Sequence, residues 1–401
     1  MTSTSRRLTA LTAALLAVAA AIPASAHATR HPTGALERIA DEAVVAGIPG
    51  VVVRVDDGRG PVVDVVRQAL WTVPDHRLSA NDRFMMGSNT KTMTAVLVLQ
   101  LVGEHRLALD DTIEEWLPGV LPNGRGITLR MLLNHTSGLA DYAYAPEVLA
   151  TMSGNREPLT TDELLALGRS LPVEFAPGQG YHYSNIGYVA LGEVLEKVTG
   201  RGFPALVRQR ITRPLGLRDT YVATGPVAKT GFANGYEPDA AHLVPILPPG
   251  TPEGFGFAGP EHDEHVNVTA LDQSWGGAAG AVVSTTADWA RFDSALMSGR
   301  LFPRRLLAEF RTTVAQEAPE RRYGLGVEEY RTPCGTVWGH DGALPGFRSN
   351  NYTDLTGRRT VSVLSTSHFG LRVDPVAGEA ETRLVHAAVC AMLGKPVPAD
   401  D

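Results

Sequence analysis

The sequence is short of several things, and each shortage narrows what the protein does. Only two cysteines occur in 401 residues, Cys334 and Cys390. That is too few for a disulfide-dense scaffold, and two isolated thiols are a poor metal site. Long apolar runs are missing too: the stretch from Leu8 to Ile22 falls short of the ~20 residues a membrane span needs, and there is no second candidate near the C-terminus. No HExxH zinc pattern, Walker phosphate loop or G-x-S-x-G elbow is present. Excess positive charge is absent as well. The formal net charge is -7, with acidic and basic residues well mixed, so neither nucleic acid nor an anionic membrane is an expected partner.

What is present begins with a leader. Arg6 and Arg7, the short apolar run and Ala24-Ser25-Ala26 form a secretory signal pattern over residues 1–26, which predicts export and a mature chain with no membrane anchor. Its removal moves the net charge from -7 to -9 and leaves about 375 residues, 44% of the whole chain being hydrophobic, enough for a large core. An exported chain meets oxidising conditions, so a Cys334–Cys390 disulfide is expected, tying a strand to the C-terminal helix.

Periodicity sets the fold class. "ALERIADEAVVAGI" (35–48) is helical, and "GVVVRVDDGRGPVVDVVRQ" is two strands joined by an Asp-Gly turn. Short helices punctuated by Pro and Gly fill 107–272, and 237–265 is a long loop region. Three strands, "CGTVWGHDG", "GFRSNNYTD" and "RRTVSVLSTS", precede a terminal helix. The expected fold is of the α+β type: an antiparallel sheet flanked by helices (about 34–105 and 276–396) with an inserted all-helical lobe (about 106–275), the site lying between them.

Three motifs carry chemistry. Ser88-Asn89-Thr90-Lys91 is an S-x-x-K pattern at a helix start, which puts a hydroxyl and an amine one turn apart on one face. A desolvated lysine can accept the proton of such a hydroxyl. Alone this is a common N-cap sequence. Tyr183-Ser184-Asn185, in a turn before a helix, offers a phenol for proton transfer and an amide for a substrate carbonyl, or simply a turn. For the third element, Lys229-Thr230-Gly231 is a literal K-T-G in a loop with no strand, whereas His340-Asp341-Gly342 ends an alternating strand. The latter is preferred, because a cleft edge needs the strand. "GFGFAG" (254–259) follows a Pro-rich loop, so it implies no dinucleotide site, and "EHDEH" (261–265) reads as solvated surface in preference to a metal site.

With these motifs in order, together with "LLNHTSGL", "SWGGAAGAVVST" and "YGLGV", the chain from about residue 47 to 393 resembles the serine penicillin-recognising family: DD-carboxypeptidases, class C β-lactamases, esterases and D-peptidases. It is similar in particular to secreted actinomycete-type D-alanyl-D-alanine carboxypeptidases, in which histidine replaces the third-motif lysine. The resemblance implies a β-lactamase/transpeptidase-like fold and a cofactor-independent serine hydrolase. Ser88 would be acylated, with Lys91 as base, Tyr183 relaying the proton and His340 supporting it electrostatically. Asn185 would bind the acyl-side amide, the N–H groups of Ser88 and Ala343 would form the oxyanion hole, and Trp275 would line the cleft. Where the similar peptidases place an arginine and threonines for a substrate carboxylate, this chain has Glu328, Asp341 (beside Gly342) and Ala343. That trio would repel an anion, by ~1–4 kcal/mol for like charges a few ångströms apart. The expected substrate is therefore a small peptide, amide or ester lacking a free carboxylate beside the scissile bond, with β-lactams at most weak ligands. The alternatives are a true D-alanyl-D-alanine carboxypeptidase or class C-like β-lactamase, an esterase or acyltransferase, and a catalytically silent penicillin-binding sensor.

Overall fold

The structure, a computed structural model, describes residues 32–227, 230–247, 251 and 255–397. The leader, Lys229 and Gly254 lie outside the described residues. Eight antiparallel strands form the main sheet. They are β1 (Gly50–Asp56), β2 (Pro61–Gln68), β3 (Val314–Ala315), β4 (Arg321–Tyr323), β5 (Glu328–Thr332), β6 (Gly335–Leu344), β7 (Phe347–Thr353) and β8 (Thr360–Ser365). Their order is β2-β1-β8-β7-β6-β5-β4-β3. The first two strands thus enter the sheet beside the last, β1 pairing with β8 from Val51↔Ser365 to Asp56↔Thr360.

Strand alternation sorts the sheet's two faces. Val51, Val53, Val55, Val361 and Val363 turn to one core with Leu36 and Ile39 of helix α1 (Pro32–Val45) and Leu384 and Ala388 of the C-terminal helix. Val52 and Leu364 turn to the other, larger core, which also holds α2 (Thr90–Gly103). From Met93 to Leu99 every side chain of α2 is buried, so this helix is apolar on all sides and runs through the interior, as its abrupt hydrophobic run predicts. Helix α3 (Asn185–Thr199) packs against α2, α4 (Thr286–Met297) lies on the sheet, and the C-terminal helix is α5 (Pro375–Met392).

The region read as a long loop contains more order than expected. Tyr236–Pro238, His265–Asn267 and Glu261–His262 form a three-stranded sheet. Asp75 accepts from Tyr236 Oη (3.0 Å) and Asn267 Nδ2 (3.0 Å), with His262 Nε2 2.9 Å away, while Trp71 stacks near His262 and His265. "EHDEH" is therefore a paired hairpin, with Asp263 at positive φ in its turn. Strands of two or three residues are too short to show alternation, and their partners come from distant sequence.

Cys334, in the β5–β6 turn, is bonded to Cys390 of α5, with Cα atoms 5.2 Å apart. The bond closes a 56-residue separation, for which loop entropy gives about 4 kcal/mol. Replacing both cysteines by serine is expected to lower the unfolding free energy by that order in urea titration, with kcat at 25 °C unchanged. A denaturation midpoint indifferent to reductant would contradict it.

Candidate active site

The turn that carries Ser88 is built by close backbone approach. Gly87 has φ of 51°, and a Cβ there would lie 2.5 Å from the Ala343 nitrogen. Only glycine lets the 3₁₀ turn Gly87–Asn89 rest on β6 so closely, which sets the turn carrying Ser88 against the Ala343 backbone, both residues lining one cleft. Gly342 is under the same constraint, since a Cβ there would lie 2.0 Å from the Met86 carbonyl oxygen. Its role is packing beneath the turn, which corrects its reading as a substrate contact.

The threonines after Ser88 are anchors. Thr90 Oγ1 accepts from Val282 N (2.9 Å), Thr92 Oγ1 donates to Gly326 O (2.8 Å) and Thr94 Oγ1 donates to Ala278 O (2.7 Å). Each buried hydroxyl ties α2 to a segment beside the site. Asn89 Nδ2 adds a bond to Ser349 Oγ (2.8 Å) on β7.

Lys91 is fully buried, and its Nζ has three partners: Asn185 Oδ1 at 2.7 Å, Ala279 O at 2.9 Å and Ser88 Oγ at 2.9 Å. Two of these are acceptors only and must take N–H hydrogens. In the neutral amine the remaining position is the lone pair, and it faces Ser88. Burial pulls the pKa of Lys91 from 10.5 down to about 7, with Asp141 and Asp341 opposing, so the amine is free to accept a proton at neutral pH. Tyr183 is hydrogen-bonded to Ser88, and burial raises its phenol well above 10, with the Ser88 bond opposing. It rests protonated, suited to relaying a proton and not to serving as the resident base.

Asn185 has partners beyond its expected role. Its Nδ2 lies 3.0 Å from both oxygens of Asp141, whose Oδ1 also accepts from Asn185 N (3.1 Å). Its Oδ1 orients Lys91, and the two Asp141 oxygens share one N–H of the amide, which leaves the second N–H toward the cleft that Asn185 lines. Asp141 is raised by burial, with the Asn185 bonds and Lys91 opposing. Nothing local in "LADYAYAP" singles Asp141 out; the Asn185 contact comes from 44 residues away.

His340 also departs from expectation. It is buried, Nε2 lies 2.7 Å from Tyr323 Oη, and Nδ1 is held by the Asp341 carbonyl. Its ring centre is 6.5 Å from that of Tyr183. Burial lowers it to about 4, with Asp341 opposing. At neutral pH it is an uncharged imidazole and not the electrostatic support foreseen. Its neighbours form a packed ring cluster, in which His135 lies 4.2 Å from Tyr183 and 4.6 Å from Tyr323. His135 also takes the Ser184 N–H on Nδ1 (3.1 Å), from a positive-φ backbone.

The two acids, Glu328 and Asp341, are not an exposed repelling pair either. Glu328 is 5% exposed and bonded to Arg321 and to Gln316 Nε2 (3.3 Å). Asp341 accepts from Arg348 Nη2 (2.7 Å) and lies 3.8 Å from Arg321. Burial raises the Glu328 carboxyl, with Asp341 reinforcing and Arg321 opposing. Burial alone would raise Asp341 too, but Arg348 and Arg321 outweigh it and hold it below the usual carboxylate range. The two arginines neutralise the acids and are themselves consumed.

In front of these groups lies a cleft of about 230 Å³, lined by Ser88, Tyr183, Asn185, Trp275, Asp141 and Ala343 among others, with Tyr142, Tyr144, Met152 and Phe369 supplying apolar surface. Glu328, Asp341, Gly342 and His340 do not line it. Trp275 is 8% exposed and its indole N–H has no partner among the described residues. Arg372, at the mouth, donates to Tyr144 Oη (2.8 Å). Buried Glu237 fastens one wall by accepting from the N–H groups of Gly346 (2.5 Å), His368 (3.0 Å) and Phe369 (2.8 Å).

A serine, an amine and a phenol in contact at the edge of a cleft are the parts of an acyl-transfer site. A family profile described as Beta-lactamase matches residues 36–385. The chain belongs to the Beta-lactamase family. The structure resembles a D-stereospecific amidohydrolase from Streptomyces sp. (33% identity, 87% of this chain and 98% of that one, TM-score 0.73). It also resembles the D-amino acid amidase of Ochrobactrum anthropi SV3 complexed with L-phenylalanine amide (25%, 90% and 99%, TM-score 0.76). Among curated proteins, penicillin-binding protein 4* of Bacillus subtilis (strain 168) is 29% identical over 325 residues, 80% of this chain and 67% of that protein. The chain spans between 47% and 65% of the next curated relatives. Members of the family with this fold are serine hydrolases.

With Lys91 as the proton acceptor, kcat/KM is expected to rise with pH through about 7 and level off above it. Lys91→Met is expected to lose roughly 10³-fold and to abolish that limb. His340→Gln, which keeps a polar partner for Tyr323, is expected to cost far less. A pH profile flat from 5 to 9 would exclude the lysine as base.

Proposed function

We propose that this protein is an exported serine hydrolase that forms an acyl-enzyme on Ser88 and cleaves the amide bond of small D-amino-acid amides or peptides lacking a free carboxylate beside the scissile bond. The observation that carries the reading is the contact of the buried Lys91 Nζ with Ser88 Oγ, 2.9 Å away, while its other two partners, Asn185 Oδ1 and Ala279 O, are acceptors only. Ser88 Oγ attacks the carbonyl carbon while its proton passes to Lys91. The oxyanion is held by the Ser88 and Ala343 N–H groups. The C–N bond then breaks as Tyr183 gives its proton to the leaving nitrogen and regains one from Lys91. Water reverses the sequence and releases the acid.

Substrate class is supported from two sides. The solved relatives act, by their names, on D-amino-acid amides and D-configured amides. Behind the cleft, the arginines nearest the third motif are taken up by Glu328 and Asp341, and Ala343 lacks a hydroxyl, so among the described residues that end offers a leaving-group carboxylate no free cation. Asp141 puts a negative charge in the wall, suited to an α-ammonium, and Tyr142, Tyr144, Met152 and Phe369 suit an apolar side chain. β-Lactams, which carry a carboxylate, would acylate Ser88 slowly. Export is supported by the sequence of residues 1–26 and by the Cys334–Cys390 bond.

One observation favours a second reading, a carboxypeptidase. Arg372 is a cation lining the cleft, whose guanidinium has, among the described residues, only the Tyr144 hydroxyl as hydrogen-bond partner. The experiment compares D-phenylalanine amide, a D-alanyl-D-alanine peptide and that peptide's C-terminal amide. kcat/KM is expected to favour the amides by about tenfold or more, equivalent to ~1.4 kcal/mol. A preference for the free acid that disappears in Arg372→Gln would establish the carboxypeptidase instead. Fluorophosphonate labelling lost in Ser88→Ala separates either from a silent binding protein.

A further inference from the structure

A second concave region has no part in this chemistry. On either side of the helical turn Arg213–Leu215 the surface forms recesses of about 900 Å³ and about 500 Å³. Arg208, Arg213 and Arg218 line the larger; Arg54, Arg291, Arg300 and Arg358 line the smaller. Arg213 and Gly216 face one recess and Leu215 the other, so this turn is the ridge between them. Neither recess shares a lining residue with the Ser88 cleft.

The charge there runs against that of the chain, whose net is -7. Asp56 is the single acidic residue lining either recess. Arg54 lies 3.6 Å from Asp64, and Arg291 pairs with Asp288. Among the described residues the guanidinium groups of the other five, Arg208, Arg213, Arg218, Arg300 and Arg358, have no carboxylate partner; those of Arg300 and Arg358 donate only to the hydroxyls of Ser298 and Thr356, while the Arg358 backbone N–H donates to Asp354 Oδ1 (3.1 Å). In a protein with 43 acidic residues, five unmatched guanidinium groups gathered round one ridge are a site with a field of its own. The planar fork of arginine grips phosphate oxygens two at a time, and the exposed Thr224 adds a hydroxyl.

We propose that the two recesses bind a linear phosphate-bearing polymer laid across the Arg213–Leu215 ridge. Cations on both sides of a ridge match repeated charges and not a single ion. Concave recesses suit a chain better than a flat bilayer. Tyr221 is the one aromatic residue lining either recess, so backbone charge is gripped and bases are not read.

The test measures binding of fluorescently labelled inorganic polyphosphate to the full protein by anisotropy at about 50–300 mM salt, beside a single-stranded oligonucleotide of equal charge, poly-glutamate and phosphatidylglycerol vesicles. Polyphosphate and oligonucleotide are expected to bind alike per charge, a local departure from the expectation, drawn from net charge, that nucleic acid is no partner, and both more tightly than poly-glutamate or vesicles. Arg208→Gln/Arg213→Gln/Arg218→Gln and, separately, Arg300→Gln/Arg358→Gln are each expected to weaken binding at least about tenfold. Each should also lower the log–log salt slope by about one per arginine removed. Hydrolysis of a small amide should be unchanged in both variants, which shows that they are folded. No polyphosphate binding at the lowest salt, binding indifferent to both sets of substitutions, a marked preference for the oligonucleotide, or tighter binding to vesicles or poly-glutamate would each overturn the proposal.

Discussion

The site depends on one buried amine. Lys91 has no solvent to hydrate an ammonium, and a charge enclosed without adequate partners costs several kcal/mol. The protein meets that cost partly by lowering the pKa to about 7 and partly by supplying Asn185 Oδ1, Ala279 O and Ser88 Oγ. Once two of those are acceptors, the direction of the lone pair is decided. Much of the neighbouring structure maintains that arrangement. The threonines of α2 fasten it to the segment carrying Ala279 and to the loop at Gly326, and Asp141 grips Asn185 from behind.

Charge is handled differently on the sheet behind. Arg321, Glu328, Asp341, Arg348 and Glu381 form a nearly balanced cluster, with Arg348 between Asp341 at 2.7 Å and Glu381 at 3.8 Å. Balanced groups of this kind exert little net field at a distance, so the cleft receives neither the repulsion that two acids would give alone nor the attraction of two free arginines. His340 lies beside this cluster as a neutral ring bonded to Tyr323, and the cluster of His135, Tyr181, Tyr183 and Tyr323 gives the relay phenol a rigid bed. Polarity in the cleft itself comes from Asp141 within and Arg372 at the mouth, two groups on segments far apart in the chain.

How much of this could be read in advance follows physical range. S-x-x-K needs only helical geometry to bring its two groups together, and Tyr183 announces itself as a phenol in a turn before a helix. The strands at 335–344, 347–353 and 360–365 alternate strongly enough to be seen, and so does the hairpin at 50–68. Partner assignments were not legible. Glu328 and Asp341 as letters are two negative charges; the fact that each has an arginine against it depends on the register that puts Ala343 opposite Arg348 and Tyr323 opposite Glu328. The small sheet of 236–238, 261–262 and 265–267 escaped for a related reason, its order coming from Asp75 and Trp71.

By itself, then, the sequence determined the local pairs and periodicities: the hydroxyl and amine one turn apart, the all-apolar helix behind them, the strand that carries the third motif and two cysteines suited to a bond. These are settled within a few residues by backbone geometry and hydrophobic spacing. Tertiary structure alone decided protonation and charge: which amine is dry, which histidine is neutral, which acids are matched and which arginines are left facing solvent. Those properties are sums over neighbours that meet only when the chain has folded, and the energy of each depends on burial and distance, neither of which is written in the order of residues.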